Sequence, residues 1–138
     1  MADPMVSLNS WGKAYKGMKM DNQERLTIAC QVVRKLGKYR ALEVGNPQIP
    51  PTPNPLGPGF TGVDLDGSTY RARIGVCDAK AGIQKRLTLG RCKDADCAAY
   101  MYRAAHVALY GSYSWAADTL CDGERALIEM TRKSVLNG

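Results

Sequence analysis

The side chains in this sequence that could do chemistry on a partner are mostly cationic. Lys13, Lys16, Lys19, Arg34, Lys35, Lys38 and Arg40 fall in its first third, and Arg71, Arg73 and Arg86 follow in its middle. Guanidinium and ammonium groups grouped in this way bind phosphate oxygens, so the chemistry they offer is electrostatic capture of a polyanion rather than bond making. Their distribution matters more than the net charge of +6. Residues 1–40 hold these seven cations and Arg25 against Asp3, Asp21 and Glu24, whereas the remainder of the chain is close to balanced. A basic segment beside a neutral domain suits a nucleic acid; a solubilising surface is the alternative of equal weight.

Residues suited to bond chemistry are scarce. There is no glycine-rich phosphate loop, no His-x-Glu-x-x-His and no Cys-x-x-Cys pair. The five cysteines are Cys30, Cys77, Cys92, Cys97 and Cys121, and Cys92 and Cys97 stand five apart, outside the common zinc spacings. Reduced, metal-free thiols in an intracellular protein are expected. The single histidine, His106, falls beside an apolar helical stripe and is expected to pack rather than catalyse. Tyr100, Tyr102, Tyr110, Tyr113 and Trp115 could form a base-stacking platform, but packing is the commoner role for such a cluster. No catalytic residue, metal, cofactor or small-molecule substrate is expected, and the chain is not read as an enzyme.

These side chains need positioning elements. Asp21 and Glu24 form a capping-box signature ahead of Leu26, Ala29, Cys30, Val33 and Leu36 at helical spacing, and Gly37 is a stop. This predicts a helix over 22–36 within segment 21–38, with Arg25, Arg34, Lys35 and Lys38 on its basic face. Residues 1–20 read as a basic extension and 44–59, with six prolines between Pro47 and Pro58, as a stiff polyproline spacer. From Phe60 the periodicity changes to two. Val63 and Leu65 alternate with Asp64 and Asp66, Asp66-Gly67 signals a hairpin, and Tyr70, Ala72, Ile74 and Val76 alternate with Arg71 and Arg73. Leu87 and Leu89 alternate with Arg86 and Thr88, giving a third strand. One sheet face is apolar, and the other carries Asp64, Asp66, Arg71, Arg73, Arg86 and Thr88.

A helix is predicted from Asp94, its cap, to Tyr110, with Ala98, Met101, Tyr102, Ala105 and Leu109 facing the sheet. A last helix over 124–136 closes the 112–138 extension, with Leu127, Ile128 and Met130 inward. The fold class is α+β: a three-stranded antiparallel sheet on one helix, flanked by an N-terminal helix, a proline-rich spacer and a C-terminal helix. No stretch nears the ~18 apolar residues of a membrane span, and the N-terminus shows no apolar leader, so no secretory signal is expected.

The module at 60–111 resembles the DNA-binding domain of the APETALA-two/ethylene-response-factor family. Phe60-Thr61-Gly62-Val63 stands where that family has an aromatic-Arg-Gly-Val strand, and Leu89-Gly90-Arg91-Cys92 where it has Leu-Gly-x-Phe. Ala98-Ala99-Tyr100-Met101-Tyr102 stands for Ala-Ala-x-Ala-Tyr, with Gly111 twelve positions after the second alanine, at the family spacing. The resemblance implies a sheet that reads the major groove of DNA from positions Thr61, Asp64, Asp66, Arg73, Gly75, Arg86 and Thr88. Of these only Arg86 keeps the family's residue type, and two aspartates stand where arginines are usual. Arginine donates two hydrogen bonds to guanine, worth ~1–3 kcal/mol of discrimination, and aspartate cannot. Asp64 and Asp66 are expected to pair across the hairpin with Arg71 or Arg73 and neutralise the face.

Three functions remain. The first is a structural, RNA-binding subunit of a larger assembly such as an organellar ribosome, with protein neighbours. The second is a sequence-specific duplex-DNA-binding regulator, and the third a protein-only accessory subunit. RNA is favoured over DNA, and a mitochondrial location over a nuclear one because residues 5–20 are basic and lack an acidic side chain.

Overall fold

The computed structural model describes residues 21–42, 46–53, 57–78, 80 and 82–138. Lys13, Lys16 and Lys19, with the rest of segment 1–20, lie outside the described residues. Three α-helices and three strands follow in chain order: α1 (Asn22–Leu36), β1 (Val63–Asp66), β2 (Thr69–Asp78), β3 (Ile83–Cys92), α2 (Ala95–Tyr110) and α3 (Asp122–Asn137), with short 3₁₀ turns between the last two helices. The fold is α+β, as the periodicity predicts. No helix among the described residues is long and apolar enough to cross a membrane.

The sheet is a meander in the order β1-β2-β3, antiparallel throughout. The first hairpin turns through Gly67 and Ser68, with Asp66 paired to Thr69. Gly67 takes a positive φ of 65°, which a side chain would resist. Between Ala72, opposite Gly90, and Arg73, opposite Thr88, the pairing shifts, leaving Leu89 as an extra residue in a bulge. β3 runs longer than Leu87 and Leu89 suggested, because Gln84, Lys85 and Arg86 join the ladder through backbone bonds while their side chains stay exposed.

Ala72, Ile74, Val76 and Leu89 bury against α2, where Ala98, Ala105 and Tyr102 receive them. Alanines let the backbones approach closely. The opposite side of α2 is covered as well: α1 and α3 pack on it and on each other. Ala29, Val32, Val33 and Leu36 of α1, Ile128 of α3 and the sheet residues form one continuous core. The segments 21–38, 60–111 and 112–138 are therefore not separate packing units.

Several expectations need correction. Leu65 is exposed, lying on the edge strand one residue before the hairpin turn. Met130 is 68% exposed. The buried face of α3 carries Glu124 and Ile128, and Met130 stands on the opposite side of the helix. Arg25 is buried within α1 rather than on its basic face, and its Nη2 donates to Asn22 Oδ1 at 3.0 Å. Asp21 does cap α1, its Oδ1 accepting from Glu24 N at 2.8 Å. Asp94 holds the N-cap position of α2, yet its side chain makes no capping bond.

The proline-rich segment is anchored where it is described. The Pro47 carbonyl accepts from Trp115 N at 2.7 Å, and the Pro51 carbonyl from the Thr61 hydroxyl at 2.7 Å. Proline keeps its carbonyl as an acceptor while offering no N–H, so such a segment can be strapped down through acceptors alone. Its described residues are tied to the domain by these two bonds.

Candidate nucleic-acid interface

The outer face of the sheet is built by alternation, with one change of phase at the β3 bulge. Across the three strands the register sets Asp64, Arg71 and Arg91 in one row, Arg73 beside Thr88 in the next and Gly75 beside Arg86 in a third. Beyond the end of β1, a fourth segment takes its place along β2. Arg40 N donates to the Cys77 carbonyl at 2.9 Å, and Cys77 N to the Arg40 carbonyl at 2.8 Å. This bridge brings Arg40, a residue of the N-terminal basic group, onto the sheet that carries Arg73 and Arg86.

The arginines fall into two electrostatic classes. Asp64 engages two of them. Arg71 donates through Nε to Oδ1 at 3.0 Å and through Nη2 to Oδ2 at 3.2 Å, and Arg73 Nη2 reaches Oδ2 at 2.5 Å. The hydrogen bonds from Arg71, then Arg73, hold the Asp64 carboxyl below the usual carboxylate range, and Asp64 in turn raises Arg71. Asp66 accepts from Arg91 Nε at 2.7 Å, with Arg71 Nη1 at 3.8 Å, and the Arg91 bond lowers its carboxyl too. The hairpin pairing expected of the two aspartates is thus present. Plain alternation puts Arg91 on the apolar face with Leu87 and Leu89; the bulge at Leu89 shifts the phase and turns it outward.

Arg86 is exposed and has no ion pair among the described residues. Arg34 and Lys35 end α1 and are exposed, as are Lys38 and Arg40 just beyond it. Two contacts hold this turn. Arg132 of α3 donates from Nη1 to the Gly37 carbonyl at 2.6 Å and from Nη2 to the Tyr39 carbonyl at 2.5 Å. Lys85 Nζ lies 4.6 Å from the Tyr39 ring centre and donates to its hydroxyl at 2.7 Å. The result is a cleft of about 630 Å³ lined by Lys38, Tyr39, Arg40, Lys80, Arg132 and Asp78. A shallower depression of about 260 Å³ on the sheet includes Asp64, Arg73 and Arg86. No sequence signal marked Lys80 or Arg132, since their roles depend on contacts between distant elements.

Most of the aromatic cluster packs, while Tyr113 stands 68% exposed. Tyr100 and Tyr102 are buried, and Tyr102 stacks on Trp115 with ring centres 6.4 Å apart. His106 is buried beside Tyr110, 4.5 Å between centres, and Trp115, and its Nδ1 pairs with Ser114 Oγ at 2.6 Å. Among the described residues no group of three or more His, Cys, Asp or Glu could hold a metal.

Burial pushes the His106 imidazole down to about 4. In the unfolded chain it titrates near ~6.5, so between these two values the unfolded state binds more protons. The stabilising contribution is complete above pH ~6.5 and is lost as pH falls towards 4, by roughly 3 kcal/mol in all. Urea unfolding at pH 7.5, 5.5 and 4 should show this loss, and His106→Gln should flatten it. An unchanged pH profile in that variant would exclude His106 as the source.

Comparison with protein-family models, with curated proteins and with solved structures finds no match to this chain.

Proposed function

We propose that this protein is a non-enzymatic, RNA-associated subunit of a larger assembly, an organellar ribosome being the concrete version. It would hold nucleic-acid phosphates along the edge that runs from Arg34 and Lys35 through Lys38 and Arg40 to Arg86. The observation that carries the reading is the division of the arginines by Asp64. The two in the middle of the sheet face, Arg71 and Arg73, are committed to its carboxylate, while the cations at the margin are exposed. Base reading in a major groove needs arginines free to make two-pronged bonds. Phosphate contact needs only accessible charge, and it positions without reading sequence. The wide, shallow minor groove of A-form RNA flanked by phosphates suits a flat basic face.

The test uses the full chain, because α1 contributes to the single core and cannot be removed without unfolding it. Binding to a structured RNA should weaken with log salt by ~0.7–0.9 for each phosphate contact. Lys38→Ala with Arg40→Ala should lower that slope by ~1.4–1.8. Arg71→Ala and Arg73→Ala should leave it unchanged. Recovery of a defined motif from a randomised duplex-DNA pool would replace this reading with the DNA regulator implied by the family resemblance. Absence of binding to any nucleic acid would leave the protein-only subunit.

A further inference from the structure

Cys92 ends β3 and Cys97 sits in the first turn of α2, so the β3–α2 corner folds the two thiols towards each other. Their sulfurs are 2.7 Å apart, with Cys92 Sγ also 3.9 Å from Met101 Sδ. Non-bonded heavy atoms rest at ~3.5–4.0 Å, and a disulfide closes at ~2.05 Å. The pair therefore stands between contact and bond, and a shift of a few tenths of an ångström at each sulfur would join it. Both residues are partly buried and neither is sealed in the core, which leaves them reachable by a small reagent.

We propose that Cys92 and Cys97 form a reversible dithiol–disulfide pair, a redox modification site that staples the end of the sheet to its helix by exchange with a small-molecule disulfide such as oxidised glutathione. The two cysteines are chemically unequal. The hydrogen bond from Cys92 lowers the Cys97 thiol, and the same bond, with burial, raises that of Cys92. Cys97 is accordingly the attacking thiolate. Its sulfur breaks the S–S bond of the reagent, forms a mixed disulfide and releases one thiolate. That thiolate takes the Cys92 proton. The Cys92 sulfur then attacks Cys97, closes the protein disulfide and releases the second thiolate. Two protein thiols lose two electrons in total, and one small disulfide is reduced to two thiols.

Cys30, Cys77 and Cys121 have no such neighbour among the described residues: Cys30 meets the Thr131 hydroxyl at 3.8 Å, and Cys77 the Asp78 carbonyl at 3.8 Å. Selectivity for one pair out of five cysteines is what the experiment reads. The native full chain is incubated with oxidised glutathione, blocked with iodoacetamide after denaturation, and digested with trypsin. Cleavage after Arg91 and Lys93 separates Cys92-Lys93 from the peptide holding Cys97. The two should be recovered joined, and released by reductant, while the other three cysteines are alkylated. Cys92→Ser should stop at a glutathione adduct on Cys97, and Cys97→Ser should react roughly tenfold more slowly at Cys92. Recovery of Cys92 and Cys97 both alkylated after prolonged exchange, both glutathionylated, or joined to other cysteines would overturn the proposal.

Discussion

Gly62→Ala should destabilise the protein by ~2–5 kcal/mol, lowering its thermal midpoint by about 10 °C or more. Gly62 ends the turn into β1 with φ at +77°, where a β-carbon meets the carbonyl that follows it. That strain alone costs ~1–2 kcal/mol. A second cost arises because the methyl group would come to 2.0 Å from Tyr102 Cδ1 and 2.4 Å from Cε1. The ring is held by its aromatic neighbours. It is buried, stacks on Trp115 and lies 5.9 Å from His106. The Gly62 carbonyl also accepts from Arg73 N at 2.9 Å, so the backbone cannot retreat without breaking the bond that seats the turn on β2. Overpacking of this kind costs ~1–3 kcal/mol. Gly67→Ala is the control. Its φ of 65° is similar, but nothing lies within 4 Å of the added carbon, so it should lose only the backbone part. Equal losses in the two variants would mean that Tyr102 yields and that the close approach carries no energetic weight.

Period-two and helical patterns suffice for the three strands and the three described helices, because they mark which side of each element is apolar. They fail where burial depends on what lies opposite. Leu65 continues its strand's alternation and is exposed, at the hairpin end of the edge strand. Arg25 interrupts an apolar stripe and is buried, with Asn22 of its own helix and Tyr100 of α2 as polar neighbours. The candidate interface divides in the same way. Alternation alone places Arg71, Arg73 and Arg86 on one face, and the aspartates of the first hairpin foretell that some of them are neutralised. Arg40 reaches the sheet through a backbone bridge to Cys77, and Arg132 fixes the turn before it through Gly37 and Tyr39, 95 and 93 positions away in the chain. Neither contact has a local signature. The Cys92–Cys97 proximity is of the same kind: spacing gives the separation along the chain, and only the corner between β3 and α2 gives the separation in space.

The other large effect is expected at Glu124, the one carboxylate among the buried polar residues described, only 2% exposed. It does two things at once. Oε1 accepts from Cys121 N at 3.1 Å, closing a capping box at the start of α3. Oε2 accepts from the Tyr100 hydroxyl at 2.6 Å, tying α3 to the buried side of α2. Burial and the neighbouring carboxylate push the Tyr100 hydroxyl far above its usual range, so it stays a donor at every pH the fold survives. The charge has a counterpart. Arg25 and Arg103 are both buried and both act on Tyr100 electrostatically, Arg103 with its guanidinium carbon 5.7 Å from the ring centre. Removing the one buried carboxylate beside two buried cations breaks a buried ionic contact, which costs ~3–5 kcal/mol. Glu124→Ala is therefore expected to lose about that much in urea unfolding at neutral pH. Tyr100→Phe, which strips one donor from the carboxylate but keeps the ring, should lose ~1–3 kcal/mol. The double variant should lose less than the two single losses added together, because either single change already breaks the Tyr100–Glu124 hydrogen bond. A Glu124→Ala protein within 1 kcal/mol of the parent, or strictly additive losses, would show that the packing of α3 on α2 stands on its apolar contacts alone.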